Sequence, residues 1–179
     1  MTGLYHIMNQ KPGPGDNFIH RKVYRYTFPK PKIITIIWVD IYAYNICVIS
    51  FFEKGKGNDK TKFKLRHNYH GLHVLYILKA CLATFMELRG HTEPYALFFN
   101  AANDINDYRE DNPRNSAYGT FFKYYLPGYY TDYRIIGSLK LNITGIIPNA
   151  HPFLSETTKF YDWFAKSVEQ DMNTEETDK

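Results

Sequence analysis

Residues Lys62–Arg89, "KFKLRHNYHGLHVLYILKACLATFMELR", pass from a strand-like segment through a histidine-rich turn around one glycine into a long apolar pattern. Leu72, Leu75, Leu78, Leu82, Phe85 and Met86 recur at steps of three and four, the spacing that lines one face of an α-helix. Val74, Ile77 and Cys81 widen that face, while Lys79, Glu87 and Arg89 fall outside it. A helix over Leu72–Arg89 is predicted, about 27 Å long given the rise per residue of an α-helix. Gly90 stops it and Pro94 bars its continuation.

On the N-terminal side the period changes. "RKVYRYTF" sets Tyr24, Tyr26 and Phe28 against Val23, Arg25 and Thr27, an alternation of two. "KIITIIWVDIYAY" and "ICVISFFE" are rich in the β-branched and aromatic residues that strands favour. Asn45 marks a bend between them or a bulge in one long strand. "KGKGND" (Lys54–Asp59) reads as a hairpin loop, with "TKFKL" as the returning strand.

On the C-terminal side "YALFFN" (Tyr95–Asn100) is a short apolar run, as in a strand covered on both faces. A helix is expected near Pro113–Arg114, with Ala117, Phe121, Phe122 and Tyr125 on its buried side, ending at "LPG". "DYRIIG" and "LKLNITG" read as two further strands. A last helix after Ser155 presents Phe160, Trp163, Phe164 and Val168. Strands, long helix, strand, helix, strands, helix is the order of an α/β fold. It implies a single mixed β-sheet of about six to seven strands with a long central crossover helix.

With 179 residues and 44% hydrophobic content the chain suits one folded domain. Residues 1–20, with "NQKPGPGDN", are expected as an extended N-terminal arm, 21–170 as the domain and 171–179 as a frayed tail. Tyr (16) and Phe (13) dominate the aromatic content, which suits binding surfaces because a tyrosine buries a face while its hydroxyl stays wet. The formal charge of +4 permits a polyanion or nucleotide ligand without demanding one. Cys47 and Cys81 sit in apolar runs, as buried reduced thiols do. Asp40, Asn45, Lys79 and Glu87 interrupt the apolar stretches, so no membrane partner is expected, and with no secretory leader read at the start the expected location is cytoplasmic.

The element order resembles that of the GNAT superfamily of N-acyltransferases, and "RHNYHG" (Arg66–Gly71) carries the likeness furthest. Members of that family place Arg/Gln-x-x-Gly-x-Gly/Ala between a strand and a long helix; Arg66 and Gly71 fit, and Tyr69 stands where the first glycine is expected. The resemblance implies an acyl-CoA such as acetyl-CoA, its pyrophosphate held by Arg66, Asn68, Tyr69, His70, Gly71 and Leu72. Free amides at a helix N-terminus attract an anion. It also implies Asn103 facing the pantetheine arm and Tyr118 protonating the leaving thiolate; Asn100 joins the cofactor-binding set, and Glu53 is the candidate base for an unidentified amine. The thioester would lie between a strand ending at Leu65 and Ala96–Asn100. The chain is similar, too, to small bacteriophage proteins of unassigned function that share a glycine before the long helix, Phe-x-Ala and Arg-x-x-x-Tyr (here Arg114 and Tyr118). That likeness implies a host cytoplasm and a host or virion protein as partner.

Simpler readings stand beside these. Arg66–Gly71 also suits a plain strand-to-helix turn, Tyr118 a packed aromatic and Glu53 a strand end. His67, His70 and His73 have spacings that suit a metal, but a change of backbone direction falls among them. Lys60, Lys62, Lys64 and Arg66 share one face of the expected strand, where they would follow a nucleic-acid backbone or, the favoured reading, guard a sheet edge.

Overall fold

The computed structural model describes residues 3–28, 30, 32–57, 61–63, 71–89, 93–102 and 112–177. Its seven strands form one mixed sheet in the order β1-β2-β3-β4-β5-β7-β6. β1 (Leu4–Gln10), β2 (His20–Phe28), β3 (Ile33–Tyr42) and β4 (Ile46–Glu53) make an antiparallel meander. β1 lies within the segment expected as an extended arm and is the sheet's edge.

The alternation in β2 sorts as expected: Tyr24 and Tyr26 are buried in the main core while Arg25 is exposed. The Tyr24 hydroxyl donates to Glu87 Oε1 at 3.0 Å, which fixes the helix against this strand. β3 and β4 are two strands, not one bulged strand, because Tyr44 (φ 62°) and Asn45 (φ 53°) both take the left-handed conformation and reverse the chain.

After β4 comes the crossover helix α1 (Gly71–Arg89), then β5 (Ala96–Asn100), parallel to β4. α1 is long and apolar enough in composition to cross a membrane. Here it is a core helix, with Ile77, Leu78, Cys81, Phe85 and Leu88 buried in one cluster with Ile37, Val39, Cys47 and Leu97 of the sheet. α2 (Pro113–Tyr125) packs on the same side, and β6 (Tyr133–Ser138) and β7 (Ile143–Pro148) complete the sheet. β7 lies between β5 and β6 and is antiparallel to both. Its Gly145 is needed for space: a Cβ there would meet Phe98 Cε1 at 2.6 Å.

The opposite face is covered by α3 (Leu154–Thr177), whose Phe160 and Phe164 pack on Ile46, Phe98 and Ile147. α3 continues through much of the segment expected to fray. The molecule is therefore a three-layer α/β/α sandwich built on one mixed sheet.

Of the expected strand Thr61–Leu65, the described residues form no strand. Thr61–Phe63 are turn residues, and the strand beside β5 is β4, not one ending at Leu65. Lys-Phe-Lys alternation imitates a strand, but the described residues of this segment are held by side-chain contacts. The Phe63 ring lies edge-on to Trp38 at 5.5 Å and Phe52 at 5.3 Å. The Lys62 ammonium stands 4.1 Å from the Trp38 ring centroid, a cation–π contact.

Candidate functional site

β4 and β5 pair over three positions only, Ile46 with Ala96, Cys47 with Leu97 and Val48 with Phe98. Beyond Val48, β4 stays with β3 as far as Thr35 and Glu53. β5 beyond Phe98 stays with β7, Asn100 facing Ile143. The two central parallel strands therefore part, and the opening faces the C-terminal ends of both.

The opening is roofed on the α1–α2 side. Ile49 and Phe51 from β4, Leu97 and Phe99 from β5, Leu78 and Cys81 from α1, and Tyr118 and Phe122 from α2 enclose an apolar crevice of about 20 Å³. That volume holds about one water. The Tyr118 ring is 5.9 Å from Phe51 and 5.6 Å from Phe99, so it rests on both arms of the opening. Strand alternation puts the half-buried Glu53 on the same sheet face as Phe51, two residues further along β4. The two residues expected to carry chemistry are thus on one side of the sheet. Burial drives the Cys81 thiol far above its usual range, so it lines the crevice as an unreactive apolar group.

A wider groove of about 400 Å³ runs outside the crevice between α1 and α2. It begins at Gly71, follows Val74 and Leu75 along α1 opposite Ala117, Thr120 and Tyr124 of α2, and reaches Leu78, which also lines the crevice. The first turn of α1 carries no acidic residue, so nothing in that turn opposes an anion at the positive end of the helix dipole. Leu72 is exposed there, and among the described residues Gly71 has no neighbour within 4 Å of where a Cβ would stand. Arg66, Asn68, Tyr69, His70 and Asn103 lie outside the described residues, as do His67, Lys60 and Lys64. His73 is buried edge-on to Phe28 at 4.2 Å. Among the described residues no group of three or more His, Cys, Asp and Glu side chains is placed to hold a metal.

Asparagines fix the rim. Asn100 Nδ2 donates to the carbonyls of Leu141 at 2.8 Å and Asn142 at 3.2 Å. Asn142 Oδ1 accepts the Asn112 N–H at 2.8 Å; Asn112 Nδ2 donates to the Ala101 carbonyl, and Asn112 Oδ1 caps α2 at the Asn115 N–H. Arg114 Nη1 donates to the carbonyls of Phe63 at 3.1 Å and Ala102 at 2.9 Å, tying the segment after β4 to the segment after β5. In the Arg-x-x-x-Tyr pair, then, arginine braces the backbone on either side of the opening and tyrosine roofs it. Of these, the asparagine network escaped the sequence reading; its one signal was Asn112-Pro113, a cap followed by proline at the first helical position.

Compared with family models, curated proteins and solved structures, the chain matches none.

Proposed function

We propose that this protein binds an acyl-coenzyme A thioester in the α1–α2 groove and transfers the acyl group to an amine. The parting of β4 and β5 after three paired positions, with Tyr118 lying on both arms, is the observation that carries this reading. The groove supports it by joining the start of α1 to the crevice through Leu78. A diphosphate at the first turn of α1 would meet peptide N–H groups that lack helical partners.

In this reading the transfer is direct. The amine nitrogen attacks the thioester carbonyl carbon, the C–S bond breaks, and the amide forms. The Tyr118 hydroxyl gives its proton to the departing thiolate, and Glu53 takes the proton that the amine loses. Because the crevice admits about one water, the acyl arm enters only when the Tyr118 ring turns away from Phe51.

A second reading, a non-catalytic bacteriophage protein that binds a host or virion partner, draws on the tyrosines outside the groove. Tyr130 and Tyr5 are 71% and 61% exposed, and wet aromatic surfaces suit protein contacts. Nucleic-acid binding through Lys54–Arg66 has less support, because Lys62 is committed to Trp38.

Thermal denaturation with acetyl-CoA separates the first two readings. Saturation at a hundredfold excess over Kd adds about 2.7 kcal/mol of stability, equivalent to roughly 5–10 °C in a chain of this size. No shift at millimolar acetyl-CoA removes the transferase reading and leaves the protein-binding one.

A further inference from the structure

The face of the sheet away from the groove carries a second concavity. It measures about 310 Å³ and lies between the β3–β4 turn and the first half of α3, lined by Tyr42, Tyr44, Phe160 and Trp163 with Glu156 and Lys159 at its rim. We propose that this cleft binds an organic cation, a methylated or quaternary ammonium group.

Four aromatic side chains from two separate elements converge there. The Tyr42 ring is 4.8 Å from Phe160 and 5.8 Å from Trp163, and Phe160 is 5.2 Å from Trp163. Aromatic faces carry negative quadrupole potential, so several of them around one hollow attract a large, weakly hydrated cation. Trp163 remains 38% exposed and Tyr44 50% exposed, although rings of this size gain most from burial. Tyr44 is also held at φ 62°, a conformation that a bulky residue rarely adopts and that tends to mark functional positions.

Charge selects the class of ligand. Glu156 supplies a carboxylate at the rim, and its Oε1 accepts from Lys159 Nζ at 2.8 Å. That ammonium is the cleft's own cation. An i, i+3 pair on a helix surface is weak, so an incoming ammonium competes with Lys159 for the carboxylate while contacting the aromatic rings. Removing Lys159 should therefore strengthen cation binding, whereas a cleft built for anions would lose affinity. Because it lies across the sheet from the α1–α2 groove, this site does not depend on the acyl-transfer reading.

The test is a titration with choline against its uncharged carbon isostere at constant ionic strength. Trp38→Phe leaves Trp163 as the sole indole, and its fluorescence should change saturably with choline and not with the isostere. Calorimetry on the unaltered chain gives the same answer should Trp38→Phe disturb the fold. Glu156→Gln should weaken binding up to about fivefold and Lys159→Gln should tighten it by a similar factor. A response linear in added choline, equal binding of the isostere, or weaker binding after Lys159→Gln overturns the proposal.

Discussion

The backbone N–H of Asn112 donates to Oδ1 of Asn142 at 2.8 Å, joining the start of α2 to the turn between β6 and β7. Asn142 is 1% exposed and has φ 52°, so one residue supplies a buried acceptor and also tolerates a left-handed backbone. Asn142→Ala loses both and should cost about 2–4 kcal/mol, the sum of an unpaired buried amide and the backbone penalty. Asn142→Gly should recover the backbone share alone. Urea unfolding at constant slope measures each; a loss below about 1 kcal/mol for alanine would falsify the bridging role.

Gly71 separates folding from ligand binding. With no neighbour among the described residues near an added Cβ, Gly71→Ala should leave stability unchanged or raise it by up to about 1 kcal/mol, since alanine favours helix. If phosphates sit against this turn, the same methyl should weaken acetyl-CoA binding by about tenfold or more. Calorimetry beside thermal melts reads both quantities. Unchanged affinity would move the anion away from the start of α1.

Tyr118 separates chemistry from packing. Tyr118→Phe keeps the ring against Phe51 and Phe99 while removing the proton donor. Acyl transfer should fall about a hundredfold with acetyl-CoA affinity preserved. Full turnover in that variant would reduce Tyr118 to a roof over the crevice.

His151 gives the fold an acid-sensitive point. Its ring is buried, Nε2 faces the Asn45 carbonyl at 3.2 Å, and Nδ1 accepts the Phe153 N–H at 3.2 Å. This requires the neutral ring with its proton on Nε2. Burial lowers its pKa from the ordinary 6.5, against an opposing pull from the Asn45 carbonyl. The unfolded chain therefore takes up the proton first. Stability from this group is complete above about pH 6.5 and is lost as the pH falls through the lowered folded value. His20, also lowered by burial, adds the same sign. Chemical denaturation across this range should show a steeper acid decline in the native chain than in His151→Gln; parallel profiles would exclude His151.

The sequence made the large elements legible because each rests on a local period. Three- and four-residue steps gave α1, alternation gave β2, and an unbroken apolar run gave β5. Where β4 and β5 separate was not legible, since it depends on β3 and β7 holding their neighbours. "TKFKL" misled because the half-buried Phe63 packs on Trp38 and Phe52, contacts that only the fold brings together. Asn112, Asn115 and Asn142 look like ordinary loop asparagines until the fold brings them together. Tyr118 was picked out through the family resemblance, and its spacing from Arg114 did not by itself assign the arginine to backbone carbonyls.

The meander and the crossover differ in how they form. Each of β1 to β4 pairs with a strand adjacent in sequence, so those contacts close short loops early. Ile46 meets Ala96 only after α1 has condensed, and β7 must slot between β5 and β6. Such distant pairings slow folding, so the β4–β5 seam is expected to set after the meander. Until then the apolar flank of α1 stays open to chaperones and to aggregation.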